Sequence, residues 1–341
     1  MVDLPGAIPP FVKDYDPAGR LVFAMTPNKN FFDMFEWVVE KTGHKIPNIL
    51  VSMYYLRGKS GSENLARIRK MCDRLFVDSG VFSFRSKILT AAGIHFRAAY
   101  WTLTDAERQK ILDAGSSNRE EFDAFAAEYC EFLKKYDDQF DVAIDLDVEQ
   151  FLGLDVAELY YTKLLEVAPV SKIMRVWHSH GRDWKDWQEW CSSGQYSWLA
   201  LEGPDQHNRE VDMYNRFIDY AHRYNIKVHI LAVTTLQFMG QVILDTCDSS
   251  TYTVGGRFAR LLMPSGRDIL IGKRYKAYYK NHFDNLSKVE QDGAAEIMTY
   301  LGFTPDELSD SHNKRCLFNI LVFLMYYDKE CARMASKVAL F

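Results

Sequence analysis

A parallel eight-stranded α/β barrel, a (β/α)8 TIM barrel, is the fold the sequence predicts, and three observations predict it. Eight short apolar runs rich in β-branched residues recur along the chain, stretches of helical period separate them, and the turn after the first run, TPNKN, has no glycine. Alternating strand and helix implies a parallel sheet with helical crossovers. Eight such units suggest closure into a barrel. An open doubly wound sheet, the main alternative, would ordinarily carry a glycine-rich phosphate turn after its first strand.

The runs, in order, are LVFAMT (21–26), NILVSMYY (48–55), RLFVDSG (74–80), FDVAIDLDV (140–148), KIMRVWHSH (172–180), YSWLALEG (196–203), KVHILAVT (227–234) and VILDTCDSS (242–250). Amphipathic stretches such as FFDMFEWVVEK, ENLARIRKMC, DVAELYYTKLLEV, DWKDWQEWC and REVDMYNRFIDYAHRY lie between them. Two insertions depart from a bare barrel: a long segment after the third run (81–105), rich in aromatic and basic residues, and a largely helical region from about 262 onward. The expected layout is an N-terminal segment (1–20), a barrel (21–262) and a helical extension packed on it (263–341). The longest apolar run, CLFNILVFLMYY (316–327), is too short to span a bilayer and reads as a buried helix. No membrane partner is expected.

With 48% hydrophobic and 26% charged residues the chain can bury a large core, and its net charge of -5 confines any polyanion-binding surface to a local patch. The six cysteines, at 72, 130, 191, 247, 316 and 331, form no CxxC pair. That spacing argues against a zinc ribbon or a disulfide framework and fits a reducing cytoplasm. MVDLPGAIPP lacks a basic n-region and an apolar h-region, so no signal peptide is expected.

In a barrel, catalytic groups lie at the C-terminal ends of strands. Asp78 ends the third run, Asp145 and Asp147 the fourth, His178 and His180 the fifth, Glu202 and Gly203 the sixth, and Asp248 the eighth. A spacing of two places Asp145 and Asp147 on one face of a strand. Each residue also has a structural reading, as turn former, helix cap or satisfied core histidine. Taken together, so many acids at one barrel mouth repel one another, which costs stability unless substrate or metal contact compensates. Two chemistries fit. One carboxylate could attack an anomeric carbon while another moves protons. Alternatively, His178, His180 and His229 with one or two aspartates could hold a divalent ion that activates water. A non-catalytic nucleic-acid-binding subunit is a third reading.

The same residues resemble the queuine/archaeosine tRNA-guanine transglycosylase superfamily. LFVDSGVFSF (75–84) resembles its strand-three signature, and RSKILTAAGIHFR (85–97) is similar to the loop that follows. FDVAIDLDVEQ (140–150) resembles the base-recognition strand, LALEG (199–203) the small strand beneath the base, and ILDTCDSST (243–251) the strand with the nucleophilic aspartate, its Asp-x-x-Asp spacing kept as Asp245 and Asp248. The order matches across about 20–260. The resemblance implies that Asp248 attacks C1′ of the sugar, that Asp78 is general acid/base, and that Asp147, or Asp145, reads the purine edge. It also implies that His178 or His180 stands where the family has a glutamine, that Gly203 or Leu201 offers backbone contacts, and that Ser79 and Gly80 permit close approach. No cofactor and no metal are implied.

Two departures point away from tRNA. The tRNA enzymes carry a zinc site of three cysteines and a histidine after the barrel, whereas only Cys316 and Cys331 follow Asp248 here. SSTYTVGG after Asp248 also lacks the family's Pro-Thr-Arg stretch. The chain looks closer to phage-type DNA transglycosylases, which exchange guanine in DNA for a 7-deazaguanine such as a preQ0-type base. Nucleic acid and the free base are thus the implied partners. Candidate polyanion surfaces are Lys273, Arg274, Lys276 and Lys280 within GKRYKAYYKNHF (272–283), and Arg85, Lys87 and Arg97 after the third run. The alternative for 272–283 is a solvated helix face whose tyrosines pack on the barrel. Trp184, Trp187 and Trp190, three residues apart, read as a core stripe or a stacking platform.

Overall fold

A computed structural model describes residues 9–94, 103–179, 181–202, 211–233 and 235–338. Eight strands close into a barrel in sequence order: β1 (Leu21–Met25), β2 (Ile46–Ser52), β3 (Cys72–Asp78), β4 (Val142–Ile144), β5 (Ile173–Trp177), β6 (Trp198–Leu201), β7 (Lys227–Ile230) and β8 (Thr246–Ser249). Parallel pairing sets Val22 beside Asp248, Phe76 beside Val142, Ala143 beside Ile173 and Val176 beside Ala200. Every residue of β4, β5 and β6 is buried. Such strands have apolar neighbours on both faces, which is why they read as continuous apolar runs.

Several strands are shorter than their runs. The fourth spans only Val142–Ile144 and the eighth begins at Thr246, although the Asp141 and Asp145 N–H groups still donate to the Leu75 and Met174 carbonyls of the neighbouring strands. The segment after β3 begins as a helix, Val81–Ala91, and a second helix starts at Asp105.

Two compact units make up the chain. The first comprises Met1–Ile49, Lys70–Asp73 and Ala232–Phe341. Its helix Lys29–Thr42 is capped by the Asn28 side chain, which accepts from the Phe31 N–H, and stops at Gly43 with φ 70. The region after 258 is not purely helical, since it opens with an antiparallel hairpin, β9 (Arg260–Leu262) and β10 (Asp268–Leu270). Helix His312–Val322 runs through a π-helical turn, Phe323–Tyr327, into Asp328–Val338. This is the buried helix expected at 316–327. Its one central amide, Asn319, is fully used: Oδ1 accepts from the Leu262 N–H at 2.9 Å, and Nδ2 donates to the carbonyls of Tyr252 and Arg260.

Asp328, 1% exposed, ties this helix to the start of β1. Its carboxylate accepts from the backbone N–H groups of Gly19 at 2.7 Å, Arg20 at 2.5 Å and Leu21 at 2.8 Å. Asp328→Asn keeps the shape but turns an amide NH2 toward one of those donors. A charged hydrogen bond contributes about 1.5–3 kcal/mol, so chemical denaturation is expected to show a loss of roughly that size with an unchanged denaturant slope.

The second unit comprises Leu50–Arg69 and Arg74–Leu231. Tyr129, from helix Arg119–Lys135, donates to the Val77 and Ile144 carbonyls at the ends of β3 and β4. In helix Trp184–Ser192, Trp187 is fully buried and donates to the Phe217 carbonyl, while Trp184 packs edge-on against Phe217. The tryptophans are a core stripe. All six cysteines are free and buried. Among the described residues no helix is long and apolar enough to cross a membrane.

Candidate active site

Asp78 is the last residue of β3, and local sequence dictates how it is presented. Its Oδ2 accepts from the Ser52 hydroxyl at 2.9 Å and from the Gly80 N–H at 3.0 Å. Ser79 is fully buried; its Oγ accepts from the Val81 N–H and its carbonyl from the Tyr54 N–H. Gly80 has φ 81, and an added Cβ would lie 2.4 Å from the Tyr54 Cβ. Glycine is therefore required for both conformation and space. Ser79 and Gly80 shape the turn under Asp78. Phe82, within the 75–84 stretch, is 66% exposed and Tyr55, after β2, 44%; the sequence alone assigns neither a role.

Beyond β4 the expectation of a shared strand face fails. The strand stops at Ile144, and Asp147 adopts φ 42, a left-handed conformation that breaks the alternation. Asp145 turns to the backbone, accepting from the Asp147 N–H and the Val176 N–H at 3.2 Å each. Burial, then the neighbouring Asp147 charge, push its pKa up to about 7. Asp147 turns instead to His178, whose Nε2 lies 2.6 Å from Asp147 Oδ1. The other ring nitrogen, Nδ1, lies 2.9 Å from Glu202 Oε2. Burial alone would lower the His178 pKa, but Asp147 and then Glu202 outweigh it and raise it well above the ordinary value. Glu202 is held in turn by the Ser179 hydroxyl and N–H, and its carbonyl accepts from the Tyr214 hydroxyl.

Glu202 was legible as an acid at a strand end, but only the fold shows it gripping His178. Leu201 is 1% exposed and its carbonyl accepts from the Leu231 N–H, so its backbone serves the barrel. His180, Gly203 and Arg97 lie outside the described residues. Asp147 and His178, with Asp145, Glu149, Arg175 and Arg182, line a cavity of about 20 Å3. Arg182 pairs with Glu149 and Glu158, and Arg175 also pairs with Glu158.

In the first unit, Asp248 lies within β8 and its Oδ1 accepts from the Ala232 N–H at 2.8 Å. Ala232 has φ 55, so a strained backbone aims that donor. Among the described residues four non-glycines have positive φ, and two of them, Asp147 and Ala232, belong to or touch these carboxylates. Asp245 serves the fold instead, pairing with Arg20 at 3.6 Å.

Of the polyanion candidates, Arg85 is stacked between Phe82 and Phe151, with its guanidinium carbon 4.4 and 4.3 Å from their centroids. Burial lowers its pKa and Asp147 opposes that. Lys87 is exposed. The 272–283 stretch is not a helix face but a 3-10 turn, Lys273–Tyr275, followed by further turns. Lys273, Arg274, Lys276 and Lys280 are all exposed, as is Tyr278 at 80%. Lys273 pairs with Asp310 and Lys276 with Asp284. The stretch is anchored where the Ile271 N–H donates to the Ala259 carbonyl, just past helix Thr251–Arg257. That helix begins three residues after Asp248, at Thr251, and is about 10 Å long at 1.5 Å per residue.

Among the described residues the donors named for a metal are not grouped, and His180 lies outside them. Both His178 nitrogens face carboxylates, His229 is fully buried with its ring 5.9 Å from Phe76, and among the described residues no three histidines, cysteines or acids are grouped to hold an ion.

No family model matches the chain, and no curated protein matches it in sequence. Fold and site define it as a closed α/β barrel with oriented carboxylates at the C-terminal ends of its strands.

Proposed function

We propose that the protein is a transglycosylase that exchanges guanine in nucleic acid, DNA in preference to tRNA, for a 7-deazaguanine base of the preQ0 type. The observation that carries this reading is the separate orientation of three carboxylates at barrel strand ends: Asp78 by Ser52 and Gly80, Asp147 by His178, and Asp248 by Ala232. A displacement mechanism needs three such groups with different roles, and the ordered sequence resemblance supports the assignment.

Guanine first leaves the stack, because its glycosidic carbon is unreachable within a duplex. Asp248 attacks C1′, the C1′–N9 bond breaks, and Asp78 delivers a proton to the departing base. Asp78, now a carboxylate, takes the N9 proton of the incoming 7-deazaguanine, whose N9 displaces Asp248 from C1′. Two inversions retain configuration. Asp147 accepts from the purine N1–H and 2-amino group, a role suited to a carboxylate because it offers only acceptors. Phe82 and Tyr55 offer exposed rings on which an unstacked base can lie.

The reading is tested by incubating the protein with duplex DNA or tRNA plus labelled guanine or preQ0, followed by nucleoside analysis of each polymer. Label in neither polymer removes the proposal; label in tRNA alone moves it to the tRNA-guanine transglycosylases. The 272–283 surface makes a separate prediction. Lys273→Glu with Arg274→Glu is expected to weaken DNA binding and to flatten the log–log salt dependence by about one unit per lost phosphate contact. Unchanged affinity across a salt titration would exclude this patch.

A further inference from the structure

His178 and Glu202 have no part in the exchange as written, yet they are among the most tightly held polar groups of the second unit. His178 is 4% exposed, with a carboxylate at each ring nitrogen. A neutral imidazole carries one N–H and would face one of those carboxylates with a bare lone pair; only the imidazolium donates to both. We infer that His178 is a protonated positioning residue that aims Asp147 and keeps it ionised, and that Glu202 is the group that keeps His178 protonated. This deepens the proposed function and rests on it for the identity of the base.

The surroundings favour this division of charge. Glu149, at the start of its helix, and Glu158 are matched by Arg182, and Glu158 also by Arg175 of β5. Asp145, on the same turn as Asp147, is engaged by two backbone N–H groups. His178 faces Asp147 and Glu202 together and also lies near Glu149, while Arg85, stacked between Phe82 and Phe151, is a second positive charge felt by Asp147. The purpose is chemical. A purine closing over Asp147 removes water, and desolvation beside Asp145 drives a carboxylate to take a proton. A protonated Asp147 would present a donor to the purine's donor edge. The imidazolium prevents that, and its direction of shift agrees, since both partners raise the His178 pKa.

Two measurements test the inference. Nitrogen-15 histidine spectra are expected to show both His178 nitrogens still protonated at a pH where an ordinary histidine, with a pKa of about 6.5, is already neutral, with Glu202→Gln bringing deprotonation to lower pH. Equilibrium binding of free guanine is expected to weaken in His178→Gln by about tenfold at about pH 6, one pKa unit's worth, and to return to within about twofold of wild type at about pH 8. A neutral His178 in the wild type at neutral pH, or a His178→Gln loss equal at both pH values, overturns the inference in favour of a purely structural histidine. If the wild type binds no guanine while His178 is doubly protonated, the transglycosylase reading fails by itself. The Asp147 carboxyl carbon-13 titration then decides: a higher pKa in His178→Gln supports the inference, and an unchanged one overturns it.

Discussion

Replacing Asp248 by Asn is expected to abolish base exchange, with a loss of at least about 10^4-fold and no covalent protein–nucleic acid adduct, as befits removal of a nucleophile. Asparagine is the demanding test because the environment can accept it. The Asn carbonyl can still take the Ala232 N–H bond now made by Asp248 Oδ1 at 2.8 Å, so the fold should survive and thermal unfolding should change little. What is lost is the negative charge and the nucleophilic oxygen. Asp248→Ala should give the same kinetic result while leaving the Ala232 donor to water. Near wild-type exchange by either variant, or an adduct trapped on denaturation, would remove Asp248 from the nucleophile's role.

Asp78→Asn is expected to slow exchange by about 10^2–10^4-fold, the usual contribution of a positioned acid or base. Its accepting oxygen can keep the Ser52 and Gly80 bonds, both made by one carboxylate oxygen, Oδ2. The variant therefore separates proton transfer from loop geometry. Its signature is a flattened pH dependence of kcat/KM with base binding preserved. A variant that loses exchange together with the fold would instead assign Asp78 to the turn.

The barrel was readable because each parallel strand, covered on both sides, is a run of apolar residues, and helical stretches of the right length separate the runs. The hairpin β9–β10 was missed although its signal was present: LLMPSGRDIL sets a Pro-Ser-Gly turn between two apolar runs. At the candidate site, strand-end position singles out Asp78, the Asp145/Asp147 pair, Glu202 and Asp248 as a group, and the preference for Asp147 over Asp145 rests on the resemblance. The division of labour within pairs was not legible, since periodicity carries no information once the chain leaves the ladder. Asp145 and Asp147 are two residues apart, yet a left-handed turn sends one to the backbone and the other to His178. Asp245 and Asp248 are likewise distinguished by Arg20 and Ala232, which lie 225 and 16 residues earlier in the chain. The grip of Glu202 on His178 joins two neighbouring strands, and no local pattern announces it.

The tie between Asp328 and the beginning of β1 also has a bearing on synthesis. Its partners are separated by as many as 309 residues. At ribosomal speeds of about 5–20 residues per second, the first strand waits roughly 15–60 s for the carboxylate that satisfies its backbone. During that interval the Gly19, Arg20 and Leu21 donors lack their carboxylate, and the β8 side of β1 stays open until Thr246–Ser249 is made, although β2 follows early. An uncovered strand edge of this kind invites pairing with other chains. Nascent molecules halted ahead of residue 328 would therefore be natural clients for a holdase chaperone, and helix Asp328–Val338 serves as a late latch on the first strand.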